Sequence, residues 1–266
     1  MWELEGELAF VWVMGGLARQ YGPGYRDAEG GIGSGPDPYA DLTAHWLEVA
    51  AATEMPFDPR VWAENAISSS YPACMAVKAA CEQGSEAGYR YLRRLREGLM
   101  AERRKLDHAE ALIAEAGPAG LDIDRFRIDI ESHAITESFA ADLEEVRDVP
   151  PEAREGGQVR TTEGRERVSF PSAVFIGAGG DRHGVWGWQP YEAYRDAALR
   201  AGASPIHEAP LEPQAAIERF GRLATAEAAA LSGRPRPLVE AELWRLATEW
   251  KLNPVSVLTG TLWDKV

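Results

Sequence analysis

A proline stands directly before a short apolar run in the segment RVSFPSAVFIG, residues 167–177. The run reads as a buried strand, and a proline cannot donate a hydrogen bond to a sheet ladder. We therefore expect Pro171 at the first residue of a strand, on an edge or in a bulge. A cis peptide bond before a proline is usually a specific structural feature of a fold.

Composition limits the class of protein to which this chain can belong. A chain of 266 residues with 45% apolar and 26% charged residues suits one large domain, or one domain with a small second one. The net charge of -14 argues against a general nucleic-acid or anionic-membrane surface. The apolar run at 9–17 is too short to span a bilayer and follows glutamates where a secretion signal carries positive charge, so a cytoplasmic protein is expected.

The first half of the chain predicts one strand and a long helical region. The sequence FVWVM at 10–14 is apolar throughout, which indicates a strand covered on both faces. A Gly/Pro-rich loop at 21–38 follows, and its glycines do not match a GxGxxG nucleotide loop. Residues 39–147 have a helical pattern broken at prolines and glycines, and one apolar stripe has helical spacing: Ile135, Phe139, Leu143 and Val146.

The next segments predict a loop, a hairpin and a helix. Residues 150–164 are polar and contain proline and glycine, which is typical of a loop. The sequences PSAVFIG and HGVWGW then read as two strands joined by the turn AGGDR, and Pro190 begins a helix that ends near residue 202. The order of strand, helical region, hairpin and helix predicts an α/β fold.

Several segments of the sequence resemble the DsbA-like thioredoxin family, and most closely its cytosolic FrnE-like branch. They are VWVMGGL at 11–17, HWLEVA at 45–50, SSYPACMAVKAACEQG at 69–84, SFPSAVF at 169–175 and GWQPYEAY at 187–194. The resemblance implies a thioredoxin-like domain at 1–204 with a large helical insertion at about 39–147. In that family an N-terminal strand and a CxxC helix precede the strand read here at 10–14, so the domain is expected to be N-terminally incomplete.

The resemblance also implies a site and a function. Phe170 and Pro171 would form the cis-proline loop, which lies against a redox-active CxxC pair and receives the thiol or disulfide of a protein or peptide substrate. The implied function is thiol-disulfide oxidoreductase without a cofactor, and this chain is expected to be inactive because it has no CxxC. The alternative is a redox-inactive peptide-binding or adaptor protein that uses the same groove.

Dithiol exchange needs a thiolate at a helix N-terminus and a second cysteine that resolves the mixed disulfide. Cys74 and Cys81 lie seven residues apart in one predicted helix, which places their Cα atoms about 10 Å apart. Because a disulfide needs Cα atoms closer than about 7 Å, the two cannot pair within an intact helix. Two small buried residues are the favoured interpretation, and Cys74 alone, near the helix start, is the candidate catalytic, low-pKa thiol.

Other candidate sites have simpler explanations. The five histidines show no metal-binding spacing, so no metal site is predicted: His45, His108, His133, His183 and His207. The arginine-rich run at 89–105 suits a nucleic-acid or peptide-binding face. A solvated helix surface is favoured, because Glu97 and Glu102 interrupt the run and leucines supply a buried stripe.

The tail at 205–266 reads as two short helices, the breaker GRPRP, a longer helix and a two-stranded wing at VSVLTGTLW. This order resembles a winged helix-turn-helix. Its acidic residues outnumber its basic ones by eight to seven, whereas a DNA-binding surface is normally basic. A structural or protein-contact role is therefore expected, nucleic acid is not expected as a partner, and the oligomeric state is open.

Overall fold

The computed structural model describes residues 2–4, 6–22, 37–206 and 209–266. Most of the predicted Gly/Pro-rich loop, at 23–36, and His207 lie outside the described residues. The chain begins with a 3₁₀ turn over Trp2–Leu4. None of the helices in the described ranges has the length and the apolar character that a membrane crossing requires.

The predicted helical region is confirmed. Its helices are α1 Pro38–Thr53, α2 Val61–Glu64, α3 Tyr71–Cys81, α4 Ser85–Met100, α5 Ala109–Ala114, α6 Ile123–Ile130 and α7 His133–Arg147. Asp37 caps α1 and Ser132 caps α7, each by accepting from backbone N–H groups that have no helical partner. The apolar stripe predicted on α7 is buried.

The main core lies around α3, which packs against α4, α6 and α7. Ala76, Ala79 and Ala80 of α3 are fully buried and let the neighbouring helices approach closely. The rings of Tyr91 and Phe126 meet with centroids 5.0 Å apart. A buried aromatic ring of this size contributes about 2 to 3 kcal/mol to folding, so this core holds the helical region together.

Residues 150–164 are not a loop, which corrects the prediction. They contain α8 Pro151–Glu155 and strand β1 Val159–Thr162, which pairs antiparallel with β2 Arg165–Val168. Glu163 and Gly164 both have positive φ, as a tight hairpin turn requires. The segment is polar because the hairpin is only partly buried, and a polar composition does not prevent pairing.

The predicted hairpin and helix after Pro171 are confirmed. Strand β3 Ala173–Ile176 pairs antiparallel with β4 Arg182–Val185, and helix α9 Tyr191–Arg200 packs on both strands. The backbone N–H of Gly177 donates to the carbonyl of Asp181 at 2.9 Å and closes the turn.

The C-terminal unit has the predicted order of elements. It comprises α10 Pro213–Phe220, β5 Leu223–Ala224, α11 Thr225–Ser232, α12 Arg236–Thr248, β6 Leu252–Val257 and β7 Gly260–Lys265. The strands form an antiparallel sheet in the order β5-β7-β6. The helices cover this sheet around a separate core that includes Ile217, Leu243 and Trp263. The winged-helix assignment and the boundary between 1–204 and 205–266 remain proposals.

Residues 10–14 do not form a strand, and the prediction that both faces are covered is wrong. The segment is irregular, Phe10 is 53% exposed and Val11 is 85% exposed. A strand requires a neighbour that completes its ladder, and no described strand pairs with this segment. Side chains supply part of its hydrogen bonding instead, as described below.

Candidate functional site

The cis-proline loop, residues 169–172, connects β2 to β3. The Phe170-Pro171 peptide bond is cis, as predicted. Two hydrogen bonds made by Ser172 shape the loop: its hydroxyl donates to the carbonyl of Ser169 at 2.6 Å and accepts from the backbone N–H of Gly187 at 3.0 Å. The loop is thereby fixed to the segment that follows β4.

The Phe170 ring lies at the surface of this loop and is held from two sides. The guanidinium carbon of Arg167 lies 4.3 Å from the ring centroid, in cation-π contact. A Cβ atom on Gly15 would lie 2.0 Å from Cζ of Phe170. Glycine at position 15 thus lets the ring approach the backbone, while 38% of Phe170 stays exposed to solvent.

Asp142 anchors the segment that approaches Phe170. One of its carboxylate oxygens accepts from the backbone N–H of Met14 at 2.7 Å, and the other accepts from Nζ of Lys78 at 2.9 Å. Lys78 also donates to the carbonyl of Trp12 at 3.4 Å. Side chains from α7 and α3 therefore hold the backbone of residues 12–14, where a sheet ladder was expected.

Cys74 lies in the same neighbourhood, one turn into α3. Burial raises the pKa of its thiol to about 11, although a hydrogen bond from the Gly16 backbone opposes the shift, and the charge of Asp142 adds to the increase. The expectation of a low-pKa thiol is therefore wrong, because desolvation outweighs the stabilisation of a thiolate near a helix start. The role of Cys74 in catalysis remains a prediction.

Cys81 is the last residue of α3, and both cysteines are free thiols. The Cys81 sulfur lies against Gly88 of α4, where a Cβ would be 2.3 Å away. Burial raises the pKa of Cys81 as well. The structure therefore brings Cys74 to the Gly15-Gly16 turn and leaves Cys81 at the opposite end of α3, so the two do not form a dithiol.

Four residues of this site were not predicted from the sequence: Asp142, Lys78, Gly15 and Arg167. Asp142 had one usable signal, since it directly precedes Leu143 within the apolar stripe of α7 and falls on the buried face. An acid on such a face requires a partner, because burial of an unpaired carboxylate is costly. The substrate-binding roles predicted for Phe170 and Pro171 remain predictions.

The structure also shows the surroundings of the metal-ligand candidates and of the arginine-rich run. In the described part of the chain, no three His, Cys, Asp or Glu side chains are grouped as a metal site would require. The arginine-rich run is not simply a solvated surface, which corrects the favoured interpretation. Arg93 pairs with Glu97 and with Glu227 of the C-terminal unit, and Arg94 pairs with Glu102.

Comparisons with known proteins agree with this architecture. A family model described as Thioredoxin matches residues 38–150. The chain is similar to the ClpXP adapter protein SpxH of Halalkalibacterium halodurans, with 29% identity over 226 residues that cover 84% of this chain and 69% of the relative. A protein of the same name from Bacillus cereus is 25% identical over 268 residues, which cover 98% of this chain and 85% of the relative. The protein of that name from Bacillus subtilis is 26% identical over 227 residues, which cover 85% of this chain and 72% of the relative.

Among solved structures, the chain is similar to a candidate protein disulfide isomerase from Nitrosomonas europaea. The TM-score is 0.50 with 21% identity, and the match covers 62% of this chain and 74% of the other. At this identity the likeness shows the fold, which is thioredoxin-like with a large helical region. The comparisons thus support the resemblance to the DsbA-like thioredoxin-fold family.

Proposed function

We propose that this protein is a cytoplasmic adapter that binds a protein partner at the cis-proline loop and does not exchange disulfides with it. The observation that carries the proposal is the Phe170 ring, which is held by Arg167 and Gly15 yet stays partly exposed. The nearby thiol, Cys74, is half-buried, and its raised pKa keeps it protonated. The similarity to proteins named ClpXP adapter protein SpxH supports the same conclusion.

The chemistry of Cys74 favours binding over exchange. Its pKa is about 11, so the thiolate fraction at pH 7 is on the order of one in ten thousand. Attack on a disulfide requires the thiolate, and a second thiol must then resolve the mixed disulfide. Because Cys81 lies at the other end of α3, it does not meet that requirement.

The loop has features that suit the capture of an apolar side chain. Phe170 presents an aromatic face beside a cis-proline, and aromatic residues are enriched among those that contribute most to protein interfaces. The ring is held in place before binding, which reduces the entropy that association must lose. By analogy with the relatives, we infer that the second partner is ClpXP.

The alternative is the thiol-disulfide oxidoreductase that the family resemblance implies. The observation that favours it is that the Gly15-Gly16 turn contacts both the Phe170 ring of the cis-proline loop and the Cys74 thiol. Insulin reduction by the full chain distinguishes the two. Turnover above that of a Cys74→Ser, Cys81→Ser variant would support the enzyme and contradict the adapter.

A photo-reactive phenylalanine analogue at position 170 tests the adapter function directly. We expect it to form a covalent adduct with a protein partner in cells, whereas the same analogue at exposed Leu238 does not capture that partner. Purified ClpXP should degrade the partner faster with the wild-type chain than with Phe170→Ala. Equal degradation with both chains would contradict a role for the loop.

A further inference from the structure

Glu163 lies in the turn of the β1–β2 hairpin, in a conformation that glutamate rarely adopts. Its φ is 54° and that of Gly164 is 74°, so both turn residues are in the left-handed region. Two-residue turns of this kind favour asparagine followed by glycine, because the short asparagine side chain tolerates that region. A glutamate at the first position costs conformational energy, and a distant contact of its side chain is a physical reason for its presence.

The carboxylate of Glu163 makes such contacts. One oxygen accepts from the backbone N–H of Arg19 at 2.9 Å, and the other accepts from the hydroxyl of Tyr71 at 3.1 Å. Nη2 of Arg147 lies 3.9 Å from that second oxygen. The turn of the hairpin is therefore attached to the segment that follows Gly16 and to the first residue of α3.

Tyr71 connects this attachment to the first support of the Phe170 ring, which is the Gly15-Gly16 turn. A Cβ atom on Gly16 would lie 3.0 Å from Cε1 of Tyr71. The Tyr71 ring also packs edge-to-face on Phe139 of α7, with centroids 5.0 Å apart. The hairpin is therefore attached to a ring that α7 supports and that packs on this turn.

Thr162 connects the same hairpin to the second support of the ring, which is Arg167. The hydroxyl oxygen of Thr162 accepts from Nε of Arg167 at 2.8 Å, and Nη1 of Arg167 donates to the carbonyl of Val168 at 2.9 Å. The guanidinium held in this way lies over the Phe170 ring. Two adjacent residues, Thr162 and Glu163, therefore contact the supports on both sides of the ring.

We propose that Glu163 is a positioning residue, which fastens the β1–β2 hairpin so that the Phe170 ring is held in the orientation that binds the protein partner. Thr162 acts with it by orienting Arg167. A ring that is held before binding loses less entropy on association. This inference rests on the proposed function for the identity of the binding loop, and it adds two residues outside the loop that determine its geometry.

Two amide variants distinguish positioning from a role in the turn alone. Glu163→Asn suits the left-handed backbone better than glutamate does, but its side chain is one methylene too short to reach both Arg19 and Tyr71. Glu163→Gln keeps the length, so its amide oxygen can accept from the Arg19 N–H while its amide N–H group donates to the Tyr71 oxygen. If the turn alone mattered, asparagine would be the better replacement; if the contacts matter, glutamine is.

Fluorine NMR of the full chain with 4-fluorophenylalanine at position 170 reports the surroundings of the ring without any partner. We expect Glu163→Asn and Thr162→Val each to move the fluorine signal towards its position in the urea-unfolded chain, and Glu163→Gln to leave it at the wild-type position. Glu166→Asn is the matched control, because Glu166 is an exposed glutamate of β2 that pairs with Arg154, and it should leave the signal unchanged.

The photo-reactive analogue at position 170 separates this inference from the proposed function. Glu163→Asn should lower the yield of the partner adduct about fivefold relative to Glu163→Gln. If no adduct forms even without these substitutions, the adapter function is contradicted, and the fluorine signal still decides the positioning role. That role is overturned if Glu163→Asn or Thr162→Val leaves the fluorine signal at the wild-type position, if Glu163→Gln or Glu166→Asn moves it as far as Glu163→Asn does, or if the two Glu163 variants give equal adduct yields.

Discussion

Asp142 is the residue on which the geometry of the candidate site most depends. Its carboxylate lies on the buried face of α7 and joins Lys78 of α3 to the backbone of Met14. Both members of the Lys78–Asp142 pair are largely buried, with exposed side-chain fractions of 13% and 9%. Removal of one member of such a pair leaves the other as an uncompensated buried charge.

We therefore predict that Asp142→Asn lowers the free energy of unfolding by about 3 kcal/mol. The amide keeps one oxygen that can accept from Met14 but no longer neutralises Lys78. Urea denaturation measures the change. The double variant Lys78→Met, Asp142→Leu removes both charges and should lose less stability than Asp142→Asn, and the opposite order would contradict this explanation.

The thiol of Cys74 predicts a pH dependence of stability. Its pKa is raised from 9.0 to about 11 in the folded state, so the folded chain holds this proton more tightly than the unfolded chain does. The stabilisation that this proton provides is fully present below pH 9 and is lost as the pH rises towards 11. Between pH 9 and pH 11 the free energy of unfolding of the wild type should fall by about 2 kcal/mol more than that of Cys74→Ala. If the stability of both chains fell equally between pH 9 and pH 11, the thiol would not be the cause of the loss.

At the scale of elements, hydrogen-bond partners decide whether a segment becomes a strand. The apolar residues 10–14 stay irregular because side chains of α3 and α7 bind their backbone, whereas the polar β1 becomes a strand because β2 lies beside it. Residues 10–16 instead meet the cis-proline loop, through the contact of Gly15 with the Phe170 ring.

Gly15→Ala should move this ring without unfolding the chain. The clash involves the far end of a partly exposed side chain, so the ring can rotate outwards. We expect the free energy of unfolding to fall by about 1 kcal/mol. Phe170→Ala should abolish most of that loss, which a double-mutant cycle on thermal or urea unfolding measures. Additive effects would mean that Gly15 does not act through Phe170.

At the scale of the whole molecule, an ion-pair network joins the helical region to the C-terminal unit. Arg222 donates to both carboxylate oxygens of Asp264, at 2.7 and 2.6 Å, and to Glu102 after α4, at 2.7 Å. The hydrogen bond to Asp264 raises the pKa of Arg222, so its charge is retained. Arg93 of α4 pairs with Glu227 of α11 in the same interface.

Arg222→Met should loosen this junction. Its carboxylate partners would lose a cation in a partly buried site, which we expect to lower stability by about 2 kcal/mol and to separate the unfolding of the two regions. Calorimetry should then show two transitions. Arg245→Met, which removes an exposed pair on α12, is the control and should leave the unfolding curve unchanged within error. A single transition at the wild-type temperature in Arg222→Met would contradict the proposed coupling.

The sequence by itself determined the elements that depend on local signals. The helices of the first half, the strand after Pro171 and the order of the C-terminal elements follow from periodicity and chain breakers, which act over a few residues. Tertiary structure decided the state of residues 10–14, the pairing of the arginines of α4 and the raised pKa of Cys74. Each of these depends on burial, or on a partner far away in sequence, and local sequence patterns specify neither.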